Sequence, residues 1–311
     1  MERNFKRNTF GQALVKLAGE NPDLVVLDAD VSASTQTLHF GNKYPERFFN
    51  VGVAEANMAD IAGGMATCGL RPVINTFAIF MSLKCTDQIR NVLCYNNLNV
   101  ILAGNYAGLS DSFDGASHQS IIDIAIMCAM PNMKVIVPAD SSELEQALKI
   151  ALQLKGPTYL RICRNPTPAL FENDEPFKFG KIRKVREGED ITLAACGVPV
   201  YMAIEAATEL AAKGISAEVL NVSTIKPLDI KALVESVSKT GKILTVEEHS
   251  VHGGMGSSVA NALVKHFPVR MDMIGIRDTF TETGPYLELL SKYGISTADI
   301  INKAENLINS Q

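Results

Sequence analysis

Three short segments of this 311-residue chain carry residue types able to move protons or hold a polar ligand. Asn50-Val51-Gly52-Val53-Ala54-Glu55-Ala56-Asn57 sets one carboxylate just after an apolar run, at the start of a helical stretch containing Gly63, Gly64 and Ala66. Thr76-Phe77-Ala78-Ile79-Phe80 places two aromatic rings three residues apart, on one helical face beyond a second apolar run. Asp114-Gly115-Ala116-Ser117-His118-Gln119 comes after a polar stretch with Gly104, Gly108, Ser110 and Asp111, as a binding loop would. A loop histidine with an aspartate four residues earlier suits general acid–base work. Each segment also has a plain structural reading. Glu55 complements a helix dipole, the aromatic pair fills a core, and His118 is a solvated surface side chain.

The elements that must position these groups can be read from hydrophobic pattern. Short runs rich in Val, Ile and Phe alternate with longer segments at helical spacing, which predicts parallel sheets covered by helices on both faces. Ten strands are expected: Leu24 to Asp30, Arg47 to Gly52, Arg71 to Phe77, Leu98 to Asn105, Met133 to Asp140, Pro157 to Arg164, Ile191 to Gly197, Ala217 to Thr224, Lys242 to His249 and Arg270 to Ile276. Helices are expected at Ala54 to Cys68, Ile79 to Tyr95, Ser120 to Ala129 and Ser142 to Lys155, the last with Ser141-Ser142-Glu143 as its cap signal. Four more are expected at Pro199 to Lys213, Leu228 to Lys239, Gly254 to His266 and Thr297 to Ile308. Between Asn165 and Pro176, prolines 166, 168 and 176 join Glu172, Asp174 and Glu175 in a stretch fit for neither helix nor central strand. The fold class is therefore α/β with two doubly wound domains, 1–165 and a smaller 189–311, joined by a linker at 166–188. In such sheets ligands sit at the carboxyl ends of strands. Those ends carry Asp28-Ala29-Asp30, Gly52 to Glu55, Asn75-Thr76-Phe77 and Gly104-Asn105.

Composition removes several function classes. Twenty-nine basic against 34 acidic residues give a net charge of −5 with no basic run, so nucleic acid is not an expected partner. The uncharged stretch from Asn91 to Ser110 contains five asparagines and two glycines, which argues against a membrane span. Arg3, Lys6 and Arg7 resemble a signal n-region, but Gln12 and Lys16 interrupt the apolar segment from Phe10 to Glu20, so a cytoplasmic protein is expected. Six scattered cysteines form no CxxC pair and no zinc spacing, which suits buried thiols in a reducing compartment. His249 and His252 with Gly253-Gly254 precede a helix, where either an anion site or a tight turn would use the glycines.

Taken in order, Gly52-Val53-Ala54-Glu55, Thr76-Phe77 with Phe80, Asp114-Gly115 with Ser117-His118-Gln119, Pro131-Asn132 with Pro138-Ala139-Asp140, and Gly156-Pro157 with Arg161 and Arg164 resemble the transketolase family of thiamine diphosphate enzymes. The likeness spans its pyrimidine-binding and C-terminal domains and implies roles. Glu55 matches the activating glutamate, whose carboxyl hydrogen-bonds the far pyrimidine nitrogen; a closed, apolar pocket suits that task. Phe77 and Phe80 would line the aminopyrimidine pocket, and Val53 would help hold the folded cofactor. Asp30 matches an aspartate at the active-site end of the first strand. Asp114 and His118 match contacts to substrate hydroxyl and carbonyl groups. Arg164, with Arg161 and Ser34, stands where family members grip a sugar phosphate. Two positions depart from the family pattern: Leu83 stands for a third aromatic and Tyr106 for a substrate histidine.

The family's Gly-Asp-Gly motif and its asparagine ligands for magnesium are not found in the sequence. The resemblance thus implies the C-terminal subunit of a split transketolase, moving a two-carbon ketol unit from a ketose phosphate to an aldose phosphate. Thiamine diphosphate would be shared with an N-terminal subunit that also carries the Mg2+ ligands, in an α2β2 heterotetramer. Two related readings are the β subunit of a 2-oxo acid dehydrogenase and a deoxyxylulose phosphate synthase-like enzyme. A noncatalytic regulatory or scaffold subunit is the reading from another class, and such a subunit has no need of Glu55, the aromatic pair and His118 together.

Overall fold

Parallel strands whose two faces are both covered read as continuous apolar runs, and this chain uses such runs twice. The computed structural model describes residues 8–171 and 176–309. Its first sheet contains β1 (Leu24–Asp28), β2 (Phe48–Asn50), β3 (Arg71–Phe77), β4 (Ile101–Asn105), β5 (Lys134–Ile136), β6 (Thr158–Arg161) and β10 (Thr224–Lys226), in the order β10-β5-β6-β4-β3-β1-β2. All its pairings are parallel except β10 on β5. The second sheet contains β7 (Arg183–Arg186), β8 (Ile191–Ala195), β9 (Ala217–Asn221), β11 (Lys242–Ser250) and β12 (Arg270–Ile276), ordered β12-β11-β8-β9-β7. Only the β7 edge runs antiparallel. The molecule is thus two α/β domains with mostly parallel sheets, as the alternating pattern predicts. No helix among the described residues is long and apolar enough to cross a membrane.

Two strands depart from the expected set, and both blur the expected boundary. β7, with the half-polar sequence Arg-Lys-Val-Arg, lies inside the stretch 166–188 expected to be linker. As an edge strand it needs only one face buried, so its charges are tolerated. β10 continues from β9, where the apolar pattern predicts one strand, and crosses to pair with β5 of the first sheet. The Arg3, Lys6 and Arg7 cluster and Glu172, Asp174 and Glu175 fall outside the described residues. Within the interrupted apolar segment Phe10 to Glu20, the chain forms the helix Thr9–Ala18, whose buried Phe10, Leu14 and Leu17 lie on one face. The helix expected from Ile79 to Tyr95 breaks after Lys84 and resumes to end in a π-helical turn at Ile89–Cys94. At Ser141–Ala151 the cap is Asp140, one residue before the expected signal. Its Oδ1 accepts from Glu143 N at 2.8 Å, while Oδ2 accepts from Leu170 N and Phe171 N at 2.7 and 2.9 Å.

The two domains are fastened by apolar packing and by a buried polar knot. One hydrophobic cluster runs from Met127, Val135 and Val137 of the first domain to Ala194, Leu220 and Val222 of the second. Beside it, Arg161 at the end of β6 meets Asp123 at 2.7 Å through Nε, and its Nη2 donates to Ser120 O and Glu248 O at 3.0 and 2.9 Å. Tyr159 Oη also donates to Asp123, at 2.7 Å. Burial opposes charge on Asp123, but the Arg161 guanidinium and these hydrogen bonds outweigh it and hold the carboxyl below its ordinary range. Glu248 is pushed up to about 7, chiefly by burial, against Arg161, Tyr286 and the Leu109 amide. Removing one partner of a buried pair strands the other's charge. Arg161→Met is therefore expected to lose about 3–5 kcal/mol of stability in urea denaturation, and adding Asp123→Leu should recover a good part of it.

Candidate active site

The carboxyl edge of the first sheet is drawn together by one line of hydrogen bonds. Asn105 at the end of β4 donates through Nδ2 to Asn75 Oδ1 at 2.7 Å. Asn75 donates in turn to Asp28 Oδ2 at 2.5 Å and to Thr35 Oγ1 at 2.7 Å. Thr37 Oγ1 and Val31 N complete the Asp28 shell, both at 2.7 Å. Burial pushes the Asp28 carboxyl up, and the bonds from Thr37, Val31 and Asn75 offset part of that. β1, β3 and β4 therefore end in register, and the loops leaving them share one cleft. Two residues in those loops adopt the left-handed region without being glycine: Asp30 at φ 64° and Tyr106 at φ 59°. Such conformations persist where surrounding structure enforces them and cluster at functional sites.

A wall of side chains crosses this cleft. Glu55 opens the helix Glu55–Thr67 with 4% of its surface exposed, after a turn in which Gly52 takes φ 75°. Its Oε1 accepts from Lys84 Nζ at 2.7 Å. The same ammonium lies 4.2 Å from the Phe80 ring centroid, so Lys84 stands between the carboxylate and an aromatic face. Phe80 stacks on Phe77 at 5.8 Å and 26°, and Phe77 stacks on Tyr106 at 4.5 Å and 19°. His118 presents its edge to Phe80 at 5.2 Å and to Phe77 at 6.2 Å. The Arg164 guanidinium lies over Tyr106 at 4.9 Å and reaches Asp111 Oδ1 at 3.2 Å. Tyr106 Oη donates to Ser34 O at 2.9 Å, which brings Ser34 to the same wall. Asp114 is exposed above it, and Gly115 at φ 78° turns the loop against Thr283 of the second domain.

The structure thus gathers Glu55, Phe77, Phe80, Asp114, His118, Arg164 and Ser34 around one cleft. Val53 and Asp30 sit at its rim: Val53 is 71% exposed, and Asp30 accepts from Asn50 Nδ2 at 2.9 Å. Arg161 corrects the expected phosphate grip. It is 6% exposed and committed to Asp123, Ser120 and Glu248, because it ends a strand whose carboxyl edge is covered by the second domain. Glu55 is closed in as expected, but its nearest partner is an ammonium instead of apolar side chains. The anion site considered at Gly253-Gly254 is also corrected. Glu247 already occupies that helix start, accepting from Met255 N and Gly256 N at 2.7 and 2.8 Å, and His249 is fully buried.

Sequence reasoning missed Lys84, and it named Asp111 only as part of a polar binding loop. Lys84 falls four residues beyond Phe80, on the same helical face, and that spacing was the available signal. The burial of Asp111 carried no signal, since it depends on Arg164 arriving from β6. Behind the His118 loop a mainly apolar cleft of about 430 Å³ opens between Ile79, Leu83 and Ile122 and the second domain's Ile276 and Phe280. Among the described residues, no group of three or more His, Cys, Asp or Glu side chains is placed to hold a metal ion.

Comparison with known proteins identifies both domains. Residues 6–168 match the transketolase pyrimidine-binding domain, and residues 180–300 match the transketolase C-terminal domain. A 6-deoxy-6-sulfo-D-fructose transketolase subunit from Clostridium sp. (strain MSTE9) is 38% identical over 307 residues, covering 99% of this chain and 95% of the relative. A putative transketolase C-terminal section from Methanocaldococcus jannaschii is 41% identical over 302 residues, covering 96% and 94%. Among solved structures, a split-gene transketolase described as an inactive β4 tetramer superposes with TM-score 0.89 at 41% identity, covering 97% of both chains. With its pyrimidine-binding and C-terminal domains both matched over nearly its whole length, the chain belongs to the transketolase family.

Proposed function

We propose that this chain is the C-terminal subunit of a split thiamine diphosphate-dependent transketolase, moving a two-carbon ketol unit between sugar phosphates. The observation that carries the reading is the single wall from Glu55 through Phe80 and Phe77 to His118, Tyr106 and Arg164. It combines a buried carboxyl, flat aromatic faces and polar groups for a hydroxylated substrate. A nitrogen heterocycle fits such a place: the carboxyl meets a ring nitrogen and the rings offer stacking faces. When bound, the cofactor supplies the nucleophilic carbon that cleaves and remakes the carbon–carbon bond. Glu55 holds the pyrimidine side by hydrogen bonding. Lys84, 44% exposed at its side chain, would have to leave Glu55 to admit it.

His118 and Asp114 face substrate from the loop. His118 Nδ1 shares a hydrogen bond with Ser117 Oγ at 3.0 Å, which orients the ring and leaves Nε2 to exchange protons with substrate oxygen. Arg164 meets the phosphate end, as a planar donor over Tyr106. The diphosphate and Mg2+ ligands are assigned to a separate N-terminal subunit, in an α2β2 assembly that closes the cleft. The similar β4 structure, described as inactive, supports the view that this half does not work alone. Six unpaired thiols fit a cytoplasmic setting.

Calorimetry on the purified chain is expected to show no submicromolar binding of thiamine diphosphate, and assays no ketol transfer. Coexpression with the N-terminal subunit should restore both; tight binding and turnover by the chain alone would refute the split assignment. In the restored complex, Glu55→Gln should leave folding nearly intact and slow exchange of the cofactor C2 proton, followed by NMR, by orders of magnitude. An unchanged exchange rate would remove Glu55 from the mechanism. Arg164→Ala should weaken phosphorylated substrates roughly tenfold to a hundredfold, the worth of one charge-assisted contact. Hydroxypyruvate, lacking the phosphate, should be little affected, and an equal loss for both donors would move Arg164 out of the substrate site.

A further inference from the structure

The chain leaving β4 runs through Gly108, held against the Glu248 side chain, and brings Asp111 under the His118 loop. Asp111 has no exposed surface. Its Oδ1 accepts from Arg164 Nη1 at 3.2 Å, while Oδ2 is buried with no hydrogen-bond partner among the described residues. The Asp114 charge, on the same loop, opposes ionisation of Asp111. Arg164 is the cation an anionic substrate end would meet, and Asp111 already answers its charge. An anion brought to Arg164 is therefore set against a buried carboxylate as well, and that repulsion is relieved when the carboxylate takes up a proton.

We propose that Asp111 is a specificity-determining residue that makes an anionic substrate end bind at Arg164 together with a proton, and so weights the site between charged and uncharged substrates. This rests on the ketol-transfer reading above. Burial first, then the Asp114 charge, raises Asp111 to about 6, against Arg164 and His118, so the proton exchange falls near neutral pH. The charged groups facing it are Asp114 and His118 of its own loop and Arg164 beyond β6. From the second domain, Glu248 is bonded to Leu109 N at 2.6 Å, Gly284 N donates to Ser112 O at 3.1 Å, and Glu282 is paired with Lys292.

Linkage sets the sign. Anion binding raises the Asp111 pKa further, so affinity is greatest and flat below about pH 5 and falls as pH rises through the free and bound values. A sulfonate, whose charge is fixed in this range, separates Asp111 from titration of the ligand. In the complex, a sulfonate-ended sugar should show a KM roughly fivefold higher at pH 8 than at pH 6, the change that a one-unit rise on binding gives. Asp111→Asn, which keeps an oxygen for Arg164, should abolish that slope and hold KM at its low-pH value. A slope that survives in Asp111→Asn belongs to His118 or Asp114 and overturns the proposal. On the full chain without partner, carboxyl NMR should place the Asp111 midpoint near 6 and move it up by about a unit with saturating 2-hydroxyethanesulfonate. A midpoint that does not move also overturns it. This second measurement needs no turnover, so failure of the complex to transfer ketol units would refute the functional reading separately.

Discussion

The seat of the His118 loop against the second domain depends on a charge pair that lies outside the cleft. Arg161 and Asp123, both buried, tie the end of β6 to the helix Asp123–Ala129 and to the Glu248 carbonyl of the second domain. The guanidinium also takes the Ser120 carbonyl, the residue at which the His118 loop returns to the body. That loop is therefore fixed at its far end by a partner from β6 and by β11 across the domain junction. Buried ion pairs add little to stability relative to well-packed apolar side chains, but they tolerate few alternative geometries. Here the geometry they enforce is the position of one domain's loop against the other's sheet.

On that frame, the cleft is a consequence of strand ends in register. The Asp28–Asn75–Asn105 line fixes where β1, β3 and β4 stop. Asp30, Phe77 and Tyr106, one or two residues further on, then converge, and Phe77 stacks on Tyr106 across the strand ends. The Phe77–Tyr106 stack bridges two of these ends, and its 4.5 Å separation is close to the spacing of neighbouring strands, about 4.8 Å. Polar groups are added at either margin: Glu55 from the start of the helix after β2, and Arg164 from the chain just beyond β6.

Much of this was legible in the sequence. The repeated apolar runs specified two parallel sheets because strands buried on both faces cannot alternate polar and apolar residues. Glu55, Phe77, Phe80, Asp114 and His118 were visible because each comes after such a run, where a doubly wound sheet gathers its ligand contacts. The illegible part depended on partners far along the chain. Arg161 and Arg164 differ by three positions, yet one is sealed beneath the second domain and the other faces the cleft. Nothing local distinguishes them, since the distinction is made by β11. β7 was hidden for the opposite reason: an edge strand with charges on its open face has no run to detect. Lys84 lay in plain view on a helix, but its meaning required knowing that Glu55 comes within 2.7 Å of it.

That lysine has a further consequence. One ammonium satisfies the Glu55 carboxylate and covers the Phe80 ring, two contacts that a flat nitrogen-bearing ring would otherwise make. The cleft thus holds a competitor tethered to its own helix. A partly exposed ion pair and a cation on an aromatic face are together worth about 1–2 kcal/mol, which is a factor of roughly five to thirty in the dissociation constant of anything that displaces them. The chain carries a threshold: ligands that make only one of the two contacts gain little by displacing the lysine, and those that make both are selected.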